Sequence, residues 1–177
     1  DENKHFFLAH YFRDNYDRSM SQLPTILSGI DISRIEVWVT NKTSDYNNPR
    51  NIIAFTDIAE NRHISNQLWN AQGNTTIPHN NANDLYTQMN TTYSGIRDID
   101  QANNILNDID GISGGADYEK LSNARLLSSS EYTLNRELGY ISLKTPLRAD
   151  EVLAVAYEYT YGGQTFQVGE FSNDIKE

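Results

Sequence analysis

Hydrophobic and polar positions alternate most regularly near the C-terminal end of the chain, where Glu151 to Tyr161 read EVLAVAYEYTY. At a strand period of two, Leu153, Val155, Tyr157, Tyr159 and Tyr161 fall on one face, and Val152, Ala154, Ala156, Glu158 and Thr160 on the other. Gly162-Gly163 follows, a pair suited to a two-residue type I′ hairpin turn, because both central positions of that turn need positive φ. Counting outward from the turn sets Tyr159 opposite Phe166 and Tyr157 opposite Val168, cross-strand pairs contributing ~0.2 to 1 kcal/mol each on a buried face. Upstream, Tyr132 to Asn135 and Tyr140 to Lys144 flank Arg136-Glu137-Leu138-Gly139, and Pro146 to Asp150 turns into the long strand. The predicted product is a four-stranded antiparallel meander.

The N-terminal pattern is different. Phe7, Leu8, Tyr11, Phe12, Tyr16, Met20 and Leu23 recur at spacings of three and four, one face of a helix that Pro24 would end, although HFFLAHYF also reads as extended. Within ISRIEVWVTN, Ile35, Val37 and Val39 alternate with Glu36, Trp38 and Thr40, which predicts a strand. Asn47, Asn48 and Pro49 mark a loop, and NIIAFTDI reads as a second strand, either buried on both faces or pairing at the core centre, and paired with the first. Residues 61–115 shift towards Asn, Thr, Gln and Gly and are expected to form a peripheral insert. Helical spacing recurs there over Asp84 to Met89 and Ile96 to Ile109, with Asp84 and Asp98 at the helix starts and Asp110-Gly111 at the second helix's end. A further short helix is predicted at Tyr118 to Ala124. The expected fold class is α+β: an antiparallel sheet (C-terminal meander plus N-terminal strand pair) with an N-terminal helix and a helical, Asn-rich middle insert.

Composition narrows the classes. The length of 177 residues suits one domain with a real core, and residues 1–177 are expected to be a single soluble domain excised from a larger chain. A net charge of −10, with 14 Lys and Arg against 24 Asp and Glu, argues against nucleic acid, which needs clustered cations. Cysteine is absent, which removes disulfides, thiolate nucleophiles and the commonest zinc ligand. No apolar run is long enough for a transmembrane helix, and the strands are too few to close a barrel alone, so the chain is not expected to span a membrane itself.

Candidate chemistry is sparse. Asp108, Asp110 and Gly111 have the D-x-D-G form of a calcium loop, but an EF-hand frame would place Leu106 at the first ligand position and Asp117 at the twelfth, so helix capping explains them better. His5, His10, His63 and His79 could ligate a metal, yet none has a motif partner, and five residues between His5 and His10 is off the helical i, i+4 spacing. Ser128, Ser129 and Ser130 lack a G-x-S-x-G setting and a base, and read as the start of a strand. The GISGG of Gly111 to Gly115 lacks the Lys and Ser/Thr of a P-loop. No catalytic, cofactor-binding or metal-binding residues are assigned. Trp38 and the tyrosine row fall at strand periodicity and are core candidates. Trp69, within the polar QLWNAQGN, is the aromatic expected to be an exposed contact residue.

Three long phrases carry a family resemblance: HFFLAHYFRDNYDRSMSQLPTILSGIDISRIEVWVTN, RNIIAFTDIAE and DYEKLSNARLLSSSEYTLNRELGYISLKTPLRADEVLAVAYEYTYGGQTFQVGEF. In order, they resemble the repeated soluble domain of the SprA/Sov family, the giant outer-membrane translocons of the type IX secretion system in Bacteroidota, used in gliding motility and protease secretion. Residues 61–115 lie outside the resemblance. It implies a non-catalytic part of a protein-transport machine at the cell surface. Its expected partners are the rest of the parent translocon chain, type IX accessory proteins such as the lipidated shuttle protein, and cargo. Long barrel inserts usually face outward, so the extracellular side of the outer membrane is expected, with the periplasmic side as the alternative. A free cell-surface adhesin or carbohydrate-binding module is the alternative function.

Overall fold

The computed structural model describes residues 3–41 and 49–174. Among these residues, eight strands form two antiparallel sheets. They are β1 (His5–Phe7), β2 (Asp31–Val39), β3 (Arg50–Phe55), β4 (Tyr118–Leu126), β5 (Tyr132–Asn135), β6 (Tyr140–Leu143), β7 (Leu153–Tyr161) and β8 (Gln164–Val168). The larger sheet has the order β3-β4-β2-β7-β8 and the smaller β1-β6-β5. The α-helices are α1 (His10–Asp14), α2 (Tyr16–Ser19), α3 (Leu85–Asn90) and α4 (Ile99–Asp108), with a 3₁₀ turn at Ser94–Arg97 between the last two. The fold is α+β.

The β7–β8 hairpin has the predicted register. Tyr157 pairs with Val168 and Tyr159 with Phe166, and Gly162 and Gly163 take φ of +58° and +77° at the turn. Both tyrosines are fully buried. Burial of side chains this large contributes on the order of 2 kcal/mol each and makes the hairpin the anchor of the core.

The four C-terminal strands do not form one meander. The β5–β6 hairpin pairs with β1, whereas β7 pairs with β2 and β8. The turn after Leu143 carries the chain from one sheet to the other. Each sheet thereby gains a facing layer: Ile141 and Leu143 of the small sheet pack with Val37 and Val39 of the large one, and Phe6, Leu134, Leu153 and Val155 fill in around them. Alternation along β2 sends Trp38 to the opposite face, where it meets Leu121, Ala124 and Ala154.

Four further expectations are corrected. The first and second N-terminal strands are not partners, because β4 lies between β2 and β3. Segment Tyr118 to Ala124, predicted helical, is most of β4. NIIAFTDI contains the edge strand β3, which is half-buried over most of its length rather than enclosed on both faces. The predicted N-terminal helix is partly strand: β1 takes the extended alternative at His5–Phe7, and the helical part is broken at Asn15 into α1 and α2. Asn47 and Asn48 of the expected loop lie outside the described residues.

Residues 57–115 build a second core beside the sheets. Trp69, Leu85, Met89, Leu106 and Ile109 cluster there against Ile53 and Phe55 of β3 and Tyr118 of β4, and Ile58 touches both this cluster and the core of Phe12, Tyr157 and Tyr159. Asp98 caps α4, accepting the Asp100 amide at 2.9 Å. Asp84 does not cap α3 with its side chain; it accepts from the Asn70 amide at 2.6 Å instead.

Candidate functional site

Trp69 is 7% exposed and belongs to the second core, which corrects the expectation that it is exposed. Its polar neighbours explain the misreading. Asn66 donates to the Gly111 carbonyl at 2.8 Å and to Asp117 at 2.9 Å, while Asn70 is tied to Asp84. Asn83, 1% exposed, donates to the carbonyls of Asp57 at 2.7 Å and Glu60 at 2.6 Å. Asn61 bridges the Gln72 and Ala82 carbonyls, and Asn80 exchanges hydrogen bonds with the backbone of Gly169. The asparagines therefore serve as backbone partners for loops that have no ladder of their own. Polar composition here reports loop construction over a tryptophan, not exposure of it.

The histidines separate into different settings. His5 Nδ1 is 2.7 Å from Ser142 Oγ, and His79 packs its ring against Phe166 and accepts from the Asn81 amide. Burial holds the His79 imidazole below its ordinary pKa. His10 and His63, distant in sequence, bring their ring centroids within 4.9 Å, and His63 Nε2 lies 2.5 Å from Asp14 Oδ2. Among the described residues, no group of three or more His, Asp and Glu is arranged to hold a metal ion. Ser128 and Ser130 share a 2.9 Å contact in the turn before β5, and the Ser128 amide donates to Glu131. Gly111, with φ of +92°, sits two residues past Ile109, the C-cap of α4.

Buried carboxylates mark two places no local sequence pattern singled out. Glu36 accepts from Trp38 Nε1 and from the amide and hydroxyl of Ser172, which fastens the C-terminal segment to β2. Glu60 is 8% exposed. Burial raises its pKa, against the opposing influence of His10 and His63 and of a hydrogen bond from the His10 amide. Beneath lies Tyr157, whose hydroxyl has no hydrogen-bond partner, unlike every other fully buried side-chain polar atom among the described residues.

An apolar groove of about 380 Å³ opens between the two sheets, lined by Phe6, Phe7 and Leu8 of the β1 region, Ile141, Leu147, Val152, and Leu153 and Val155 of β7, with Glu151 at its edge. Leu23 and Leu27 are 60% and 50% exposed on the loop before β2. No described helix is long and apolar enough to cross a membrane. No protein-family model matches the chain, and no curated protein matches it significantly.

Proposed function

We propose that this chain is a non-catalytic soluble part of a SprA/Sov-type outer-membrane translocon, with a structural or partner- and cargo-contacting role in type IX protein export and gliding motility. What carries the reading is the resemblance of three long phrases, taken in order, to that family's repeated domain. Their segments supply β1 to β8, including the central strands β2 and β7. The phrases thus span the segments that build both sheets. On this reading residues 61–115 are a helical, Asn-rich insert on the family framework, and the domain stands on the extracellular side of the membrane, the periplasmic side being the alternative.

The contact face is the apolar groove, since it is open and lined by aliphatic and aromatic side chains. An adhesin would need an exposed aromatic platform, and Trp69, Tyr157 and Tyr159 are all in the core. The test is capture from an outer-membrane extract of a type IX-secreting bacterium on immobilised domain, with Leu147→Glu as a groove-altered control. Recovery of the translocon, its shuttle lipoprotein or secreted cargo, reduced by the variant, supports the contact role. Retention of glycans in place of these proteins overturns it.

A further inference from the structure

Strand β7 runs on past the end of its partner β8. Their last ladder pair is Tyr157 with Val168, and two more residues of β8 would set Glu170 opposite Val155. The chain leaves instead at Gly169, where φ is +75°. Asn80 takes both backbone groups of Gly169, donating to its carbonyl at 3.0 Å and accepting its amide at 2.7 Å, and Glu170 is tied to Tyr86 and Arg97. Hydrogen-bonding direction alternates along an antiparallel strand. Tyr157, Tyr159 and Tyr161 turn their amides and carbonyls towards β8, as the two-residue turn requires, while the Val152 carbonyl on the other edge accepts the Thr40 amide at 3.1 Å. Leu153 and Val155 therefore point their amides and carbonyls into the slot that β8 leaves, and no backbone group among the described residues takes them. The slot lies along the apolar groove, which the side chains of Leu153 and Val155 line together with Phe6 and Phe7. Along β2 the two sheets are joined by backbone, the Leu127 amide donating to Val37 at 2.8 Å and the Ile32 amide to Arg136 at 3.0 Å. At the groove they are not.

We propose that this slot takes an extended segment of another polypeptide, added as a strand antiparallel to the Leu153–Val155 edge of β7 and in line with β8, an assignment that rests on the groove being the contact face and not on the family. An open strand edge is a template for a further strand, and the main-chain groups of Leu153 and Val155 recognise extended backbone whatever its sequence. Side chains restrict the guest further. Directly opposed residues of an antiparallel pair share a face of the sheet, so guest residues that bond to Leu153 and Val155 turn their own side chains into the groove and must be apolar. The residues between them face away and are free to be polar. Glu151 is the charged side chain in the groove lining, and the whole chain carries −10, so a guest with basic flanks is favoured over an acidic one. The guest is thus a short, alternating, basic-ended strand.

Amide hydrogen exchange of the whole chain, read by NMR, tests this. In the free protein the Leu153 and Val155 amides should exchange at least about tenfold faster than those of Ala154 and Ala156, which face β2. A short peptide of alternating Val and Thr with a Lys at each end, at ~1 mM, should slow the Leu153 and Val155 amides roughly fivefold to tenfold. N-methylation of the peptide's threonines should leave that effect in place, and N-methylation of its valines, which removes the donors aimed at β7, should abolish it. Slow exchange at Leu153 and Val155 without peptide, no slowing with it, or equal slowing by the valine-methylated peptide overturns strand addition. Slowing that rises with protein concentration alone assigns the slot to a second copy of the chain and overturns it too. Any of these results together with groove-dependent capture from the membrane extract leaves the contact role standing, so the two readings fail separately. An equal effect of the same peptide with Glu at its ends overturns the basic preference.

Discussion

Tyr159 stacks on Phe166 across the β7–β8 hairpin, with ring centroids 5.6 Å apart and planes 28° from parallel, and its hydroxyl donates to the carbonyl of Pro78. One side chain thereby joins the hairpin, the core and the segment that carries Trp69. Its neighbour Tyr157, equally buried, stacks beside it at 6.0 Å but leaves its hydroxyl unpaired. The two residues should respond in opposite ways to loss of a single oxygen. Tyr159→Phe removes the partner of a buried carbonyl and should cost about 1 to 2 kcal/mol, whereas Tyr157→Phe removes an uncompensated buried hydroxyl and should be neutral or stabilise by up to ~1 kcal/mol. Equilibrium denaturant unfolding of both variants reads the difference, and equal losses would contradict the hydrogen-bond assignment.

Gly139 closes the β5–β6 turn with φ of +72°, and a Cβ placed there would lie 2.2 Å from the Phe12 ring. Its carbonyl also accepts the Leu8 amide at 2.9 Å. Gly139→Ala should therefore combine backbone strain with overpacking against α1 and cost roughly 2 to 4 kcal/mol. Gly162 has nothing within 4 Å of such a Cβ. Asparagine tolerates positive φ at that turn position, so Gly162→Asn should stay within about 0.5 kcal/mol of the parent. Thermal melts of the two variants check the contrast.

Trp69→Ala should destabilise the chain by about 3 to 5 kcal/mol, the loss expected for a buried aromatic. A surface contact residue would change stability by about 0.5 kcal/mol or less. The same denaturation measurement separates these outcomes.

How far the fold was legible follows from where local periodicity survives tertiary structure. It survives along β2 and β7, where alternation is nearly uninterrupted and the Gly162-Gly163 turn pins the hairpin register. It fails along β4, for a visible reason. Asn123 takes φ of +54°, and the β3–β4 register shifts between Arg50 and Ile52. That irregularity leaves Leu121 and Ala124 buried together three residues apart, the spacing of a helix. Misreading β4 also hid the strand that separates β2 from β3. The β1 region failed differently: Phe7 belongs to a strand and Phe12 to a helix, but both face the same core, so one apolar stripe ran across two elements. The groove was not legible, because it joins segments far apart in sequence and no residue type in it is unusual where it stands.

The union of the α3 region with the C-terminal segment should be acid-sensitive. Glu170 accepts from Tyr86 at 2.9 Å and forms a two-pronged pair with Arg97, which also donates to Asn90. Burial pushes the Glu170 pKa up, but the hydrogen bonds from Arg97 and Tyr86 outweigh it and hold the carboxyl below its ordinary value. For a depressed carboxyl, the stabilisation is present above the unfolded pKa and is lost as pH falls through the folded one. This sign is opposite to that of Glu60, whose carboxyl is held above its ordinary pKa by burial. Two-dimensional NMR should show the Tyr86 to Arg97 amides shifting together with Glu170 on acidification below about pH 4.5. Arg97→Gln should move that transition upward in pH, and an unmoved transition would show that the pair does not hold the carboxyl down.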